Sequence, residues 1–184
     1  RKSSRLLARE IVKQFAILVS VLKVTSYLIL CLQVFPPNLL SSFFQMLGPA
    51  PTSVGRHTYY VSFIDDYSKY TWIYLIKKKS DVFQVFHNFQ ALVERKFDCK
   101  ILALQSDWGG EYRNLKSFFQ QIGISHHVSC PHAHQQNGSA ERKHRHIVEV
   151  GLALLAAASM PLKFWDEAFL TAVHLINMLP SRVI

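Results

Sequence analysis

The sequence predicts a layered α/β domain, in which a mixed β-sheet is flanked by helices. From residue 58 onward, short aromatic and β-branched runs alternate with segments whose apolar residues recur at helical spacing. Apolar residues make up 49% of the 184-residue chain, which is enough for the core of one ordinary domain.

The domain begins with a predicted β-hairpin. Residues 58–64 and 70–76 favour strands, and the turn-forming stretch 65–69 separates them. The acids of this turn, Asp65 and Asp66, are expected to be structural. Four aromatic side chains are interpreted as hairpin packing in preference to a platform for stacked bases: Tyr59, Tyr60, Trp72 and Tyr74.

Helices and strands then alternate, and Ser80 is expected to cap the first helix. The predicted elements are a helix over 80–97, a strand over 100–105, a helix over 114–122, a strand over 124–129, a long helix that ends before Pro161, and a last helix over 163–179. Phe164 and Trp165 are expected to anchor that last helix in the core. Antiparallel hairpin strands beside a parallel βαβ pair give a mixed sheet.

Residues 1–47 form a predicted N-terminal arm, and residues 48–184 form the predicted core domain. The net charge of +9 favours a nucleic-acid partner, but the arm holds +5 of it, from six bases and one acid. Within the arm, residues 15–35 are apolar. A membrane-anchored protein is therefore one alternative interpretation of the chain. No secretory signal is expected, because no convincing small-residue cleavage site follows the apolar run.

The three cysteines are an odd number without paired spacing, which favours a reducing compartment over a disulfide scaffold: Cys31, Cys99 and Cys130.

Two carboxylates are candidates for a metal site. Asp107 is expected where a buried strand opens into a Gly-Gly turn, and Glu141, 34 residues further on, lies just inside a predicted helix. Ligands collect at the carboxyl ends of strands in open α/β sheets, and two carboxylates beside a groove suit divalent cations. The alternative for Glu141 is a solvated helix start, because acids in the first turn interact favourably with the helix dipole.

From Gly48 to its end, the chain resembles the integrase catalytic domain of copia-type retrotransposons, a part of retrovirus-related Pol polyproteins. The matching strings are GPAP, YYVSFIDDYSKYTWIYLIKKKSDVF, SDWGGEY, QQNGSAERKHRH and FWDEAFLTAVHLINMLPSRV. The resemblance implies a ribonuclease H-like fold of three layers. It also implies DNA integration by 3′-end processing and strand transfer, through an Asp, Asp, Glu triad that binds Mg²⁺ or Mn²⁺.

The resemblance assigns roles residue by residue. Asp107 matches the second acid of the triad and Glu141 matches the glutamate, both as catalytic residues and metal ligands. The implied DNA-binding residues comprise the mobile loop before the catalytic helix and the basic run within it: Asn137, Gly138, Arg142, Lys143 and Arg145.

The first acid of the triad is missing. It should stand three positions before Gly48, where this chain has Gln45. An amide offers a carbonyl oxygen but no charge, so metal binding is expected to be weak and this copy is expected to be inactive. The alternative is a non-catalytic module that binds DNA or dimerises through the last two helices.

A shift of the reading frame is the predicted cause of this loss. Residues 15–29 and 37–47 can each be encoded by codons that also encode a second amino-acid string when read in one shifted frame. These two strings resemble the family's Cys-x-x-Cys zinc half-site and the strand that carries the first Asp. Residues 1–47 are therefore interpreted as a frame-shifted remnant of the zinc-binding region, and no zinc is expected in this chain. The first strand is expected to be corrupted, and the nucleotide sequence of codons 1–50 tests this.

The expected partners are DNA and a second copy of this chain, in the nucleus, with no secretion and no membrane partner. The lysine run 77–79 is interpreted as a solvated strand end, with phosphate contact as the alternative. Five residues resemble a metal cluster but match no standard zinc spacing: His126, His127, Cys130, His132 and His134.

Overall fold

The computed structural model describes residues 42–106, 113–128 and 134–179, all within the unit formed by residues 37–184. The apolar run over residues 15–35 lies outside this part. Among the helices that the structure describes, none is long and apolar enough to cross a lipid bilayer.

In the described part of the chain, five strands form one sheet in the order β3-β2-β1-β4-β5. The strands are β1 (Ser42–Pro49), β2 (Tyr59–Asp65), β3 (Thr71–Ile76), β4 (Ala103–Ser106) and β5 (Ser125–Val128). β2 is antiparallel to both β1 and β3, whereas β4 is parallel to both β1 and β5. The predicted hairpin and the predicted mixed sheet are therefore confirmed.

Helices cover both faces of this sheet. They are α1 (Val82–Phe97), α2 (Arg113–Ile122), α3 (His134–Ala157) and α4 (Trp165–Met178). Successive side chains of a strand point to opposite faces. Accordingly, Val61 and Phe63 of β2 belong to a core with α1 and α2, whereas Tyr60 belongs to a second core with α3 and α4. The predicted three-layer fold is confirmed.

The core under α1 is built largely from aromatic rings. Phe63 stacks on Phe89 with ring centroids 4.2 Å apart, and Phe43 meets Phe89 edge-on at 5.2 Å. Trp72 of β3 packs on the same ring at 5.5 Å, as the interpretation of the hairpin aromatics predicted. Burying one such ring contributes roughly 1.5–3 kcal/mol.

Asp65 fixes the turn between β2 and β3. Its Oδ2 accepts hydrogen bonds from the backbone N–H of Ser68 at 2.6 Å and from the Ser68 hydroxyl at 2.5 Å. Lys69 has a positive φ of 57° and pairs with Asp66 at 2.7 Å. The predicted structural role of the two acids is confirmed.

β1 includes residues on both sides of the predicted boundary between arm and core. Residues 42–47, assigned to the arm by sequence, form most of a strand that hydrogen-bonds to β2 on one side and β4 on the other. Backbone pairing on both sides does not depend on side-chain identity, and the buried Phe43 adds core contacts. The boundary itself and the frame-shifted origin of residues 1–47 stay predictions.

The start of α1 differs from the prediction in its capping. A 3₁₀ turn over Lys79–Asp81 precedes the helix, and Ser80 lies within that turn. The carboxylate of Asp81 accepts the backbone N–H of Lys78 at 3.1 Å. The predicted cap at Ser80 is wrong because the chain enters the helix one short turn earlier, and Asp81 holds that turn.

α4 is docked on the sheet at both of its ends. Phe164 and Trp165 are buried at its start, which confirms them as core anchors. At its end, Asn177 accepts the backbone N–H of Thr71 at 2.9 Å and donates to the Thr71 carbonyl at 2.8 Å. α4 is thereby tied to the edge strand β3.

Candidate active site

Position 45, where the resemblance implies the first acid, lies where β1 and β4 run side by side. Phe44 of β1 is in register with Gln105 of β4, so position 45 follows next to the end of β4 at Ser106. Asp107 is the next residue along the chain and lies outside the described residues. The backbone therefore brings position 45 to the strand end that precedes Asp107.

Glu141 lies on α3, which packs against β1. Its side chain is half-buried and borders an open groove of about 540 Å³. The groove is lined by residues about one helical turn apart along α3: Glu141, His144, Arg145, Val148 and Glu149. This acid therefore lies beside a space that a ligand can enter, and it carries basic and histidine neighbours on the same helix face.

A hydrogen bond between Tyr60 and His144 connects this helix to the sheet. The hydroxyl of Tyr60 lies 2.6 Å from Nδ1 of His144, and the two rings lie nearly parallel with centroids 5.7 Å apart. Burial lowers the pKa of His144 and raises the pKa of Tyr60. Both groups are therefore neutral near pH 7, and the hydroxyl can donate to the imidazole nitrogen.

Gly48 makes room for that tyrosine. A Cβ atom at Gly48 would lie 2.3 Å from the Tyr60 ring, so a larger residue here would displace the ring. Gly48 lies opposite Tyr60 in the β1–β2 register, three positions after Gln45. The glycine of β1, the tyrosine of β2 and the histidine of α3 thus form one packed connection that sets α3, and with it Glu141, against the sheet.

Sequence reasoning missed Tyr60 and His144 as parts of this site. The spacing of three residues between Glu141 and His144 is visible in the sequence and places them on one helix face. The partner of His144 is 84 residues away, and local periodicity carries no information about such a contact.

The predicted basic run on α3 divides between two environments. Arg142 and Arg145 are exposed. Lys143 is half-buried, and its pKa is lowered by burial and then by the nearby charge of Lys69. The two arginines are therefore accessible to solvent, whereas Lys143 lies near the β2–β3 turn.

The predicted loop at Asn137-Gly138 is wrong. α3 begins at His134, and both residues lie within the helix. Gly138 does not have a positive φ, and a Cβ atom there would make an ordinary contact of 3.5 Å with Arg142. An Asn-Gly turn needs positive φ, but extending an established helix through one glycine costs only about 1 kcal/mol.

Among the histidines before α3 that the structure describes, His126 is used for packing. Nε2 of His126 lies within hydrogen-bond distance of the Ser106 hydroxyl, at 2.8 Å, and the histidine ring packs on Phe119. His127 is exposed. Cys130 and His132 lie outside the described residues.

The ligand set that the resemblance implies for a pair of divalent cations is incomplete in this sequence. The resemblance implies three carboxylates, and this chain supplies two, Asp107 and Glu141, with a neutral amide at position 45. Within residues 42–106, 113–128 and 134–179, no group of three or more His, Cys, Asp or Glu residues is placed to hold a metal ion. Hard cations such as Mg²⁺ favour anionic oxygen ligands, so a glutamine at position 45 offers such a cation a poorer ligand than an aspartate would.

Sequence comparison finds the same family. The family described as "Integrase core domain" matches residues 48–134. The retrovirus-related Pol polyproteins of transposons RE2 and RE1 from Arabidopsis thaliana are both 48% identical to this chain, over 132 and 129 residues, or 72% and 70% of it. The Pol polyprotein of transposon TNT 1-94 from Nicotiana tabacum is 47% identical over 131 residues, or 70%. The matched part is 9–10% of each relative, so this chain spans about a tenth of their length.

Solved structures share the fold. A chain of the simian T-cell lymphotropic virus intasome, solved in complex with PP2A regulatory subunit B56 gamma, superposes with a TM-score of 0.60 at 14% identity, over 76% of this chain and 49% of that one. The catalytic core domain of BIV integrase superposes with a TM-score of 0.51 at 17% identity, over 74% and 82%. These likenesses establish the fold, and the sequence matches establish the relationship. The chain belongs to the integrase core family found in the Pol polyproteins of retrotransposons.

Proposed function

We propose that this chain is a degraded retrotransposon integrase core that binds DNA but performs no strand transfer. One observation carries the proposal. Position 45 lies in the central strand β1, beside the end of β4, and holds glutamine where the resemblance implies the first acid. The ancestral role is DNA integration by metal-dependent 3′-end processing and strand transfer.

The loss of catalysis follows from charge. Asp107, Glu141 and an acid at position 45 would hold Mg²⁺ or Mn²⁺ ions, which would supply charge stabilisation at a phosphodiester. Asp107 and Glu141 supply two negative charges toward them, and Gln45 supplies none. The position of α3 is supported by the Tyr60–His144 hydrogen bond, and Glu141 of this helix lines the groove.

Restoring the acid tests the proposal directly. We expect Gln45→Asp to raise metal-dependent nicking of a supercoiled plasmid at least about tenfold above the wild-type chain, which corresponds to about 1.4 kcal/mol of transition-state stabilisation. Gln45→Asn is the matched control, because it has the shape of aspartate without the charge. Adding Glu141→Gln to the Gln45→Asp variant should abolish the gain.

Two results would contradict the proposal. Nicking by the wild-type chain that disappears in Glu141→Gln would show that the two remaining acids suffice. Equal activity of the Gln45→Asp and Gln45→Asn variants, both folded by circular dichroism, would show that the missing charge is not the cause of inactivity.

The DNA-binding part of the proposal rests on the exposed arginines of α3. We expect the combined change of Arg142, Lys143 and Arg145 to glutamine to weaken binding to a DNA duplex and to lower the slope of log K against log salt by roughly two to three units. Fluorescence anisotropy at several salt concentrations measures both. The matched control neutralises Arg95, Lys96 and Lys100, three exposed bases near the end of α1. Equal losses in both variants would contradict a specific face on α3.

Dimerisation through α3 and α4 is the alternative binding role. It is supported by apolar side chains that stay exposed on these helices, Leu152, Leu170 and Met178. Nuclear localisation is part of the proposal, because the DNA substrates of integration lie there.

A further inference from the structure

Five exposed bases gather where β2 begins and β3 ends. The backbone N–H of Thr58 donates to the Ile76 carbonyl at 3.2 Å, and the Thr58 hydroxyl donates to the Lys77 carbonyl at 2.6 Å. These bonds bring Arg56, two residues before Thr58, beside the lysine run that follows β3. Together with Lys163 we call these residues the edge surface: Arg56, Lys77, Lys78, Lys79 and Lys163.

Lys163 joins this surface through the loop between β1 and β2. The backbone N–H of Val54 donates to the Lys163 carbonyl at 2.9 Å, which places Lys163, two residues before the start of α4, next to the loop that carries Arg56. All five basic side chains are exposed. In the part of the chain that the structure describes, none of the five forms an ion pair with a carboxylate.

The loop that carries Arg56 is held in one conformation by α4. The carboxylate of Asp166, which is 4% exposed, lies 3.1 Å from Nδ1 of His57, and the backbone N–H of His57 donates to the Ser53 hydroxyl at 3.0 Å. The indole N–H of Trp165 donates to the Pro51 carbonyl at 2.6 Å. Arg56 is mounted on this fixed loop, so its backbone loses little conformational entropy when the side chain binds a ligand.

The topology places the edge surface on the same side of the sheet as the candidate active site. β2 is antiparallel to β1, so the start of β2 lies at the carboxyl end of β1, and the end of β3 lies there too. Gln45 is level with Phe63 of β2 and Trp72 of β3, five residues before Lys77. Two strand spacings across the sheet and five residues along β3 separate Gln45 from the lysine run by roughly 19 Å. Phosphates of one DNA strand follow each other at about 3.4 Å, so this distance spans roughly six nucleotides.

A groove beside the lysines can receive part of a backbone. It lies between β3 and the start of α1, has a volume of about 420 Å³, and includes His57, Lys77, Ser80 and Gln84 in its lining. These side chains provide hydrogen-bond donors next to the ammonium groups, as phosphate oxygens require.

We infer that the edge surface is a second contact site for the DNA backbone, separate from the arginines of α3. It holds the continuation of a duplex whose nearer part lies at the carboxyl ends of β1 and β4. The inference rests on the proposed DNA-binding function, and it adds a surface that the basic helix α3 does not contain. The contacts are to phosphate, so they position the DNA without reading its sequence.

The test compares three variants of the full chain with the same net charge. One changes Lys77, Lys78 and Lys79 to glutamine, the second changes the three bases of α3, and the third is the Arg95, Lys96 and Lys100 control. Anisotropy with a fluorescein-labelled duplex should show that the lysine variant binds at least about tenfold more weakly at low salt, with a salt slope smaller by roughly two to three units. The control variant should stay within about twofold of wild type.

The outcomes separate this inference from the proposed function. Loss of binding in the α3 variant but not in the lysine variant would overturn the edge surface and leave the function standing. The reverse pattern would support the edge surface and remove DNA binding from α3. Absence of binding by the wild-type chain would overturn both. Lysine-dependent binding to phosphatidylserine vesicles with unchanged DNA affinity would assign the surface to a lipid membrane and overturn the inference.

Discussion

At the scale of single residues, the Tyr60–His144 hydrogen bond shows how an unremarkable hairpin tyrosine serves the site. The tyrosine was expected from sequence to pack within the hairpin, and its ring is indeed buried. Its hydroxyl, however, is bonded to the helix that carries Glu141. Alternation along β2 indicates which residues share a face, but it does not indicate which face meets α3, so this contact could not be derived from the sequence.

The same hydrogen bond predicts a pH dependence of stability. Burial lowers the pKa of His144 below its unfolded value, so the unfolded chain binds the proton more readily. The contribution of the neutral histidine to the free energy of unfolding is fully present above the pKa of the unfolded state, about 6.5. It is lost as pH falls through the lower pKa of the folded state. We expect the wild-type chain to lose more unfolding free energy than His144→Gln between pH 7.5 and pH 5.5 in urea titrations, because glutamine does not titrate in this range.

His127→Gln is the control for this experiment, since His127 is exposed and lies on β5, away from α3. It should follow the wild-type pH dependence. If His144→Gln and wild type keep a constant difference in unfolding free energy over this pH range, the buried imidazole does not bind its proton more weakly in the folded chain.

At the scale of elements, the start of α3 is where sequence and structure differ most. The pair Asn137-Gly138 favours a turn locally, and the structure continues the helix through it. Helix formation is cooperative, so residues that extend an existing helix need no nucleation of their own. Strands β2 to β5 and the other helices were located from sequence because their apolar pattern spans the whole element.

Gly138→Ala distinguishes the helix from a turn. If residue 138 is helical, alanine should raise the free energy of unfolding by roughly 0.5–1 kcal/mol, because it restricts the unfolded chain and packs without conflict. A turn with positive φ would give the opposite sign. Chemical denaturation measures the difference.

Gly151→Ala, in the same helix, is the contrasting control. A Cβ atom there would lie 2.4 Å from the Phe169 ring of α4, so α3 and α4 would have to separate. A loss of roughly 1–3 kcal/mol is expected from such overpacking. Stabilisation by this variant would show that the two helices do not pack as closely as described.

At the scale of the whole molecule, the layered fold could be predicted from the sequence, but the contacts that hold its layers together could not. Alternating strands and helices fix the class, and the motifs from Gly48 onward fix the family. The contacts that assemble the layers join residues distant in sequence, such as Thr71 with Asn177 across 106 positions. The strand character of residues 42–47 was also hidden, because a central strand is held by partners on both sides and not by its own pattern.

The attachment of the β1–β2 loop to α4 sets an order of events during synthesis. Pro51 is hydrogen-bonded to Trp165, which is synthesised 114 residues later, and His57 is bonded to Asp166, which is synthesised 109 residues later. At about 5–20 residues per second, a ribosome needs roughly 5–20 seconds to cover that interval. During this time the hairpin and α1 can form, but the loop has no anchor. The basic loop therefore takes its final shape among the last steps of folding, when the helix that fixes it leaves the ribosome.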